Sequence, residues 1–246
     1  MDISSYAAIL ISAVLASVIH STMGFGSPLV LLNVLPLFFP LNKSVAVMQV
    51  ALIVLNIYFF VRYRDKVAWK ALFPVLIPAA VLGFVFTLLS VSLNLGILNI
   101  ALGVVFILLA LYELVFPKNV KLKPSAKAGF VMGACSGITN AFFGMAGPPV
   151  VMYLVPATEG NLEYFATSQA FFFMSSVSCI IGRVVSGIYE RSDIPVILCL
   201  LAGLLLGSFV GQRVLKKVDN EIFKKLIYGF IGVNGIYMIV KEISAL

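Results

Sequence analysis

Two short segments rich in glycine and proline interrupt long apolar stretches of this 246-residue chain: residues 24–28 (GFGSP) and residues 144–149 (GMAGPP). A helix that is interrupted within lipid exposes backbone N–H and C=O groups, which cost several kcal/mol each if unpaired. Such a break therefore persists only where it is buried in protein or lines a wet cavity. Glycine lets a ligand approach the backbone, and the half-helix after the break directs its N–H groups and positive dipole end at the ligand. Pro28 and Pro148 suit the first turn of that half-helix. The two breaks predict a binding site for a small anion.

The two breaks superpose when the sequence is shifted by 120 residues. Helix-breaking residues and one buried amide then fall in register, which indicates a two-fold internal repeat. A single break would more simply serve close packing and a kink, but its duplication favours a substrate site between the repeats. The pairs in register are Gly24 and Gly144, Pro28 and Pro148, Pro36 and Pro156, Gln49 and Gln169, and Gly83 and Gly203.

Polar residues near the breaks extend the candidate site. His20, the only histidine, lies one turn before the first break, and Asn140 occupies the equivalent place before the second. An ionisable residue within the membrane suggests function, although a neutral histidine bonded to a neighbouring helix is an equal alternative. Gln49 and Gln169 follow the breaks and either face the site or join helices. The candidate substrate-binding residues are His20, Ser21, Thr22, Gly24, Gly26, Ser27, Gln49, Asn140, Gly144, Gly147, Gln169 and Arg183.

Three further features have more ordinary interpretations. Arg183 is the most interior basic residue. It either attracts anions in an outer vestibule or extends to the membrane interface, and we favour the second interpretation. Asn56 and the serines within 175–178 are weaker candidates, because such residues are common between membrane helices. Cys135, Cys179 and Cys199 show no metal or redox spacing and are expected to be small buried residues.

The elements that must position these residues are apolar helices. Hydrophobic residues make up 61% of the chain and charged residues 11%, whereas soluble domains carry about 25% charged residues. Segments of about 20 apolar residues span a bilayer, and the alternation of outer-membrane strands is absent. We predict an all-α polytopic membrane protein in the lipid bilayer, with one domain over residues 1–246. The predicted segments are 6–40, 44–61, 71–90, 95–116, 128–156, 164–189, 194–212 and 222–240.

The positions of the positive charges predict the orientation of the repeats, which cover residues 1–117 and 124–246. If all eight segments cross, eleven lysines and arginines lie on one side and six on the other. If the first and fifth segments are instead re-entrant hairpins, the loops 62–70, 118–127 and 213–225 share one face and carry thirteen of the seventeen. The positive-inside rule favours the second arrangement. Each repeat then has three crossings, so the repeats are inverted and both termini lie outside the cell.

Several classes of function are excluded or disfavoured. The positive charges flank apolar segments and form no nucleic-acid-binding face. The ten acidic residues avoid the middle of every segment, so a carboxylate proton relay is not expected. No metal-ligand cluster, nucleophile motif or phosphate loop stands out, and neither a cofactor nor an enzymatic activity is expected. The sequence leaves a homodimer open.

The two glycine- and proline-rich breaks, about eight segments and about 250 residues resemble the TauE/SafE family of sulfite and organosulfur anion exporters. Serine at position 27 and alanine at position 146 stand where that family commonly has glycine. The resemblance covers essentially the whole chain and implies a plasma-membrane transporter of small sulfur-containing anions such as sulfite or sulfonates. The residues by themselves leave two alternatives open: a passive anion channel and a transporter of a small carboxylate.

Overall fold

The structure is a computed structural model that describes residues 2–90, 93, 95–115 and 123–214, and residues 232–233, 235–237, 239–240 and 242–244. The eighth predicted segment, 222–240, lies largely outside the described residues. Short 3₁₀ turns at Leu35–Leu37, Arg64–Lys66 and Arg191–Asp193 flank the longer helices. The α-helices of the described residues are α1 (Ile3–Met23), α2 (Ser27–Val34), α3 (Leu41–Tyr63), α4 (Trp69–Ser90), α5 (Leu95–Val115), α6 (Ala126–Phe143), α7 (Gly147–Ala157), α8 (Gly160–Val185) and α9 (Ile194–Val214).

The outer surface is apolar, as expected for a protein in lipid. Ile77, Phe130 and Phe209 each expose about 60% of their surface, which would be unfavourable in water over so wide an area. The prediction of an all-helical polytopic membrane protein is confirmed. The helices that are long and apolar enough to cross a bilayer, among the described residues, are Ile3–Ser21, Leu41–Lys66, Trp69–Ser90, Gly160–Val185 and Arg191–Gly211.

The chain reverses direction at both glycine-rich breaks. The hydroxyl of Ser27, at the start of α2, donates to the carbonyl oxygen of Ala16 in α1 at 3.1 Å. A continuous helix would separate these residues by about 16 Å at 1.5 Å per residue. In the second break, a Cβ on Gly129 of α6 would lie 3.1 Å from the Tyr153 hydroxyl of α7. Helices α1 and α2, and likewise α6 and α7, therefore form two helical hairpins.

The first helix of each hairpin packs parallel to a helix of the other half of the chain. A Cβ on Gly203 would lie 2.6 Å from the Cβ of Ala13, and one on Gly211 would lie 3.1 Å from the Cβ of Ser21. The contacts advance together along α1 and α9, so these helices are parallel. Helices α4 and α6 are parallel by the same criterion, because residues 129 and 137 meet residues 74 and 79. Small residues permit this close approach between membrane helices.

Helices α3 and α8 cross the centre of the molecule in opposite directions. The rings of Phe59 and Phe165 lie 5.2 Å apart, while Arg183 reaches Gln49 near the other end of the pair. An ion pair between Lys43 and Asp193 joins the starts of α3 and α9 with an N–O distance of 2.8 Å. The ends of α3 and α9 and the starts of α4 and α6 consequently lie at one end of the bundle.

The expectation that all three cysteines are buried is wrong for Cys135. Cys179 is buried and Cys199 is half-buried, whereas Cys135 is exposed. Helix α6 packs on α4 through Gly129, Gly133 and Gly137, and Cys135 lies on the opposite face of that helix. All three thiols are free.

Candidate functional site

The two breaks meet at one cavity in the interior of the helix bundle. The cavity is partly open, and small-molecule sites are typically concave clefts of this kind. Gly26 and Pro28 of the first break line it together with residues 144–148 of the second. The chain thus brings its two interrupted segments, 120 residues apart, to a common surface.

The wall of the cavity follows the internal repeat. Most lining residues have a partner in the wall at an offset of 120 positions, so both halves contribute corresponding positions. These pairs are His20 and Asn140, Phe25 and Met145, Gly26 and Ala146, Pro28 and Pro148, Leu52 and Phe172, and Asn56 and Ser176. Leu29, Gln49, Gly144 and Gly147 line the cavity without such a partner.

The first break is formed by two glycines with left-handed backbone. Gly24 (φ 75°) ends α1, and its N–H donates to the carbonyl oxygen of His20 at 2.8 Å. Gly26 (φ 113°) precedes α2 and adopts a conformation that is strained for other residues. The second break repeats the first half of this pattern, because Gly144 (φ 64°) donates to the carbonyl oxygen of Asn140 at 2.9 Å. Glycine at these positions is explained by backbone conformation.

Prolines restrict the backbone donors that the two half-helices offer. The first N–H groups of a helix have no partner within it, but proline has no N–H at all. Pro28 follows Ser27 in α2, and two prolines follow Gly147 in α7. The first N–H groups that remain are therefore mainly those of Ser27 and Gly147, and of these two residues only Gly147 lines the cavity. The cavity needs side-chain donors as well.

Each central glutamine bonds to the other half, Gln169 at the first break and Gln49 one turn before the second. In one half, the Gln169 amide nitrogen donates to the carbonyl oxygen of Gly24 at 2.9 Å. Its Oε1 then accepts from Nε2 of His20 at 3.2 Å. In the other half, Nε2 of Gln49 donates to Oδ1 of Asn140 at 2.9 Å and to its carbonyl oxygen at 3.1 Å. The two glutamines join the halves at the cavity, with Gln49 in its wall and Gln169 behind it.

These bonds leave two buried polar atoms without a partner in the protein. Nδ1 of His20 and Nδ2 of Asn140 are both unpaired, and both residues are nearly fully buried in the cavity wall. Because the bond to Gln169 occupies Nε2 as a donor, Nδ1 of a neutral His20 is an acceptor. Nδ2 of Asn140 is a donor. Buried groups of this kind normally have partners, so both atoms are suited to a bound ligand or water.

Arg183 does not extend to the membrane interface, and the interpretation we favoured from the sequence is wrong. Its side chain is 2% exposed. The guanidinium donates to Oε1 of Gln49 and to the carbonyl oxygen of Ala141, both at 2.6 Å. These two acceptors lie on α3 and α6 and hold the side chain within the bundle, behind the wall of the cavity.

The remaining candidates lie near the cavity without lining it. The Ser27 hydroxyl is bound to α1, and the Ser21 hydroxyl is buried without a partner. Gly24 faces Tyr164 and Phe165. The side chain of Thr22 lies outside the described residues. Conversely, Asn56 and Ser176, which we ranked as weaker candidates, both line the cavity.

The cavity can bind an anion through neutral donors and has no described acidic residue in its wall. The described residues also contain no cluster of three histidine, cysteine or acidic side chains that could hold a metal ion. Neutral hydrogen-bond donors can bind an anion without the cost of burying a lysine in the cavity wall. The cavity wall offers hydrogen-bonding groups to a small polar ligand.

The model of the family described as Sulfite exporter TauE/SafE matches residues 9–238, nearly the whole chain. Searches of curated proteins and of solved structures found no match.

Proposed function

Because the chain belongs to the Sulfite exporter TauE/SafE family, we propose that it is a secondary transporter that exports small sulfur-containing anions across the plasma membrane. Sulfite or organosulfonates are the substrate class that the family suggests. One observation carries the proposal: two interrupted helices from the two halves of the chain meet at a single interior cavity. No enzymatic activity is assigned to the protein.

The proposed anion site lies between the starts of α2 and α7. Its donors are the N–H group of Gly147 and the free Nδ2 of Asn140, both residues of the cavity wall. His20 and Gln49 line the same cavity. A membrane potential that is negative inside drives a monovalent anion outward by about 2.3 kcal/mol for each 100 mV, so efflux needs no carboxylate relay.

We further propose that the two halves form an inverted repeat that supports alternating access. Helices α3 and α8 occupy equivalent positions in the repeat, and their antiparallel packing supports a two-fold axis perpendicular to them. Inverted repeats with interrupted helices are common in secondary transporters, where one half rocks against the other around a central site. Each of the pairs α1 with α9 and α4 with α6 combines one helix from each half of the chain. The two pairs are equivalent in the repeat and could move against each other in this way.

Transport of radiolabelled sulfite by purified protein in proteoliposomes tests the proposed function. We expect saturable uptake that is accelerated by unlabelled sulfite on the opposite side of the membrane, because a carrier exchanges its substrate. Unsaturated currents would favour a passive channel, and transport of acetate in place of sulfite would favour a carboxylate carrier. Absence of any anion flux from folded protein would overturn the proposal.

The proposed orientation places the ends of α3 and α9 and the starts of α4 and α6 in the cytoplasm. The segments 62–70, 118–127 and 213–225, which adjoin these ends in the sequence, carry thirteen of the seventeen basic residues, which supports this direction. In a cysteine-free background, we expect Ser192→Cys to react with an impermeant maleimide in intact cells and Lys127→Cys to react only after permeabilisation. Both positions are exposed. The reverse labelling pattern would contradict the orientation and place the termini inside.

A further inference from the structure

We propose that the transporter binds its substrate as a singly charged anion, and that Arg183, acting through Gln49 and Asn140, is the positioning residue that supplies the compensating charge. This inference rests on the proposed function and specifies the charge of the substrate. It concerns a buried cation that does not itself line the cavity.

Arg183 is a buried cation whose bonded partners are neutral. Its guanidinium donates to an amide oxygen and to a backbone carbonyl oxygen. A buried ion costs several kcal/mol even after relaxation of the protein and is normally paired with an opposite charge. Neutral dipoles stabilise the guanidinium but leave its full charge in the bundle.

No carboxylate among the described residues bonds to this guanidinium. Gln49 faces it from α3, Ala141 from α6 and Cys179 from its own helix. Acidic groups occur in the following turn, but Lys43 already bonds to both of them, with N–O distances of 3.3 Å to Glu190 and 2.8 Å to Asp193. The charge of Arg183 is thus available to an anion.

A chain of hydrogen bonds connects Arg183 to the cavity. The guanidinium donates to Oε1 of Gln49, and Nε2 of Gln49 donates to Oδ1 of Asn140. Asn140 is 2% exposed, and its unpaired Nδ2 is the last donor of this chain. Because every bond in the chain points the same way, each amide polarises the next. The positive charge of Arg183 thereby strengthens the Nδ2 donor of Asn140, which an anion in the cavity can reach.

The opposite wall of the cavity has no equivalent hydrogen-bond chain to a buried cation among the described residues. Gln169 occupies the equivalent position, but it bonds to His20 and Gly24, and the position equivalent to Arg183 is Tyr63. His20 is the one titratable side chain in the described wall of the cavity. With His20 neutral, a single positive charge serves the cavity, which matches one negative charge on the substrate.

Competition against labelled methanesulfonate in proteoliposomes tests this inference. Dimethyl sulfone, methanesulfonate and sulfate have similar size and carry no charge, one negative charge and two negative charges. For the wild type we expect methanesulfonate to compete at least about 30-fold better than either of the others, as is typical when a buried charge is left unmatched. We expect Arg183→Gln to raise the KM for methanesulfonate by about 30-fold or more and to remove this preference, and Arg183→Lys to retain it.

A second variant keeps the experiment decisive if Arg183→Gln does not fold. Gln49→Glu places a carboxylate against the guanidinium with almost no change in shape, so it neutralises the charge and should abolish the preference for methanesulfonate. Arg191→Gln, which removes an exposed positive charge, controls for net charge and should retain it. If sulfate competes as well as methanesulfonate, or if Gln49→Glu retains the preference, the inference is wrong while anion transport stands. If the wild type transports neither sulfite nor methanesulfonate, the proposed function itself fails.

Discussion

Gly147→Leu is expected to reduce anion transport to background in protein that still folds. Gly147 begins α7 and lines the cavity opposite Phe25. A Cβ at this position would lie 2.9 Å from Cδ2 of Phe25 and 3.3 Å from its Cβ and Cγ, and leucine would add three more carbon atoms in the same space. The expected cost in stability is about 1–3 kcal/mol, typical of an overpacked site, so the protein should still fold. Transport should be lost because the leucine side chain fills the cavity. Initial rates of sulfite uptake in proteoliposomes measure the effect.

Controls vary the size of the side chain at position 147, remove the Phe25 ring that it would contact, or add leucine elsewhere. Gly147→Ala should retain part of the activity, because the Phe25 side chain can shift by a few tenths of an ångström. Gly147→Leu combined with Phe25→Ala restores the volume and should recover transport, as expected for two residues that interact directly. Ala7→Leu adds the same side chain at an exposed position and should have no effect. Normal transport by folded Gly147→Leu would contradict the placement of the substrate between the breaks.

The sequence predicted the type of every described long helix because length and apolarity suffice for that purpose. The breaks were equally clear, since glycine and proline within a membrane helix require a reason. Family membership was also predicted correctly from residues 24–28 and 144–149. The inverted arrangement of the repeats remains a prediction, which the antiparallel packing of α3 and α8 supports.

The sequence could not predict which face of each helix turns inward. In a soluble protein the apolar stripe marks the buried face, but lipid and protein core are both apolar, so that signal is lost here. The sequence therefore favours the membrane interface for Arg183. Its side chain instead points into the bundle, because its hydrogen-bond acceptors lie on α3 and α6. Cys135 was placed in the core for the same reason, although it is exposed.

The offset of 120 residues relates polar residues of the cavity wall as well as the helix breakers. Asn56 and Ser176 are related by this offset and both line the cavity, yet neither resembles a ligand-binding residue by type alone. The coincidence of two polar residues at the offset is the sequence signal that marks this pair. The contribution of Phe25 is different, because its ring packs against Gly147 of the opposite break and no pattern in the sequence indicates this contact.

Gln169→Leu is expected to lower both the stability and the transport rate, because Gln169 joins the two halves of the molecule. The side chain is fully buried. Leucine would leave the carbonyl oxygen of Gly24 and Nε2 of His20 without their partner. Hydrogen bonds between membrane helices contribute about 0.6–2 kcal/mol each, so the free energy of unfolding should fall by about 1–4 kcal/mol. Thermal unfolding in detergent measures this change.

The transport rate separates a packing role from a role at the site. If Gln169 holds the first break and orients His20 at the cavity, sulfite uptake per folded molecule should fall as well, since Gly26, Pro28 and the His20 ring would lose their fixed positions in the cavity wall. Ser168→Ala is the matched control, because Ser168 is its buried neighbour on α8 and its hydroxyl bonds within that helix, to the carbonyl oxygen of Tyr164 at 2.8 Å. That variant should change neither quantity. A lower unfolding temperature with unchanged uptake would reduce Gln169 to a structural link between the halves and would remove His20 from the proposed site.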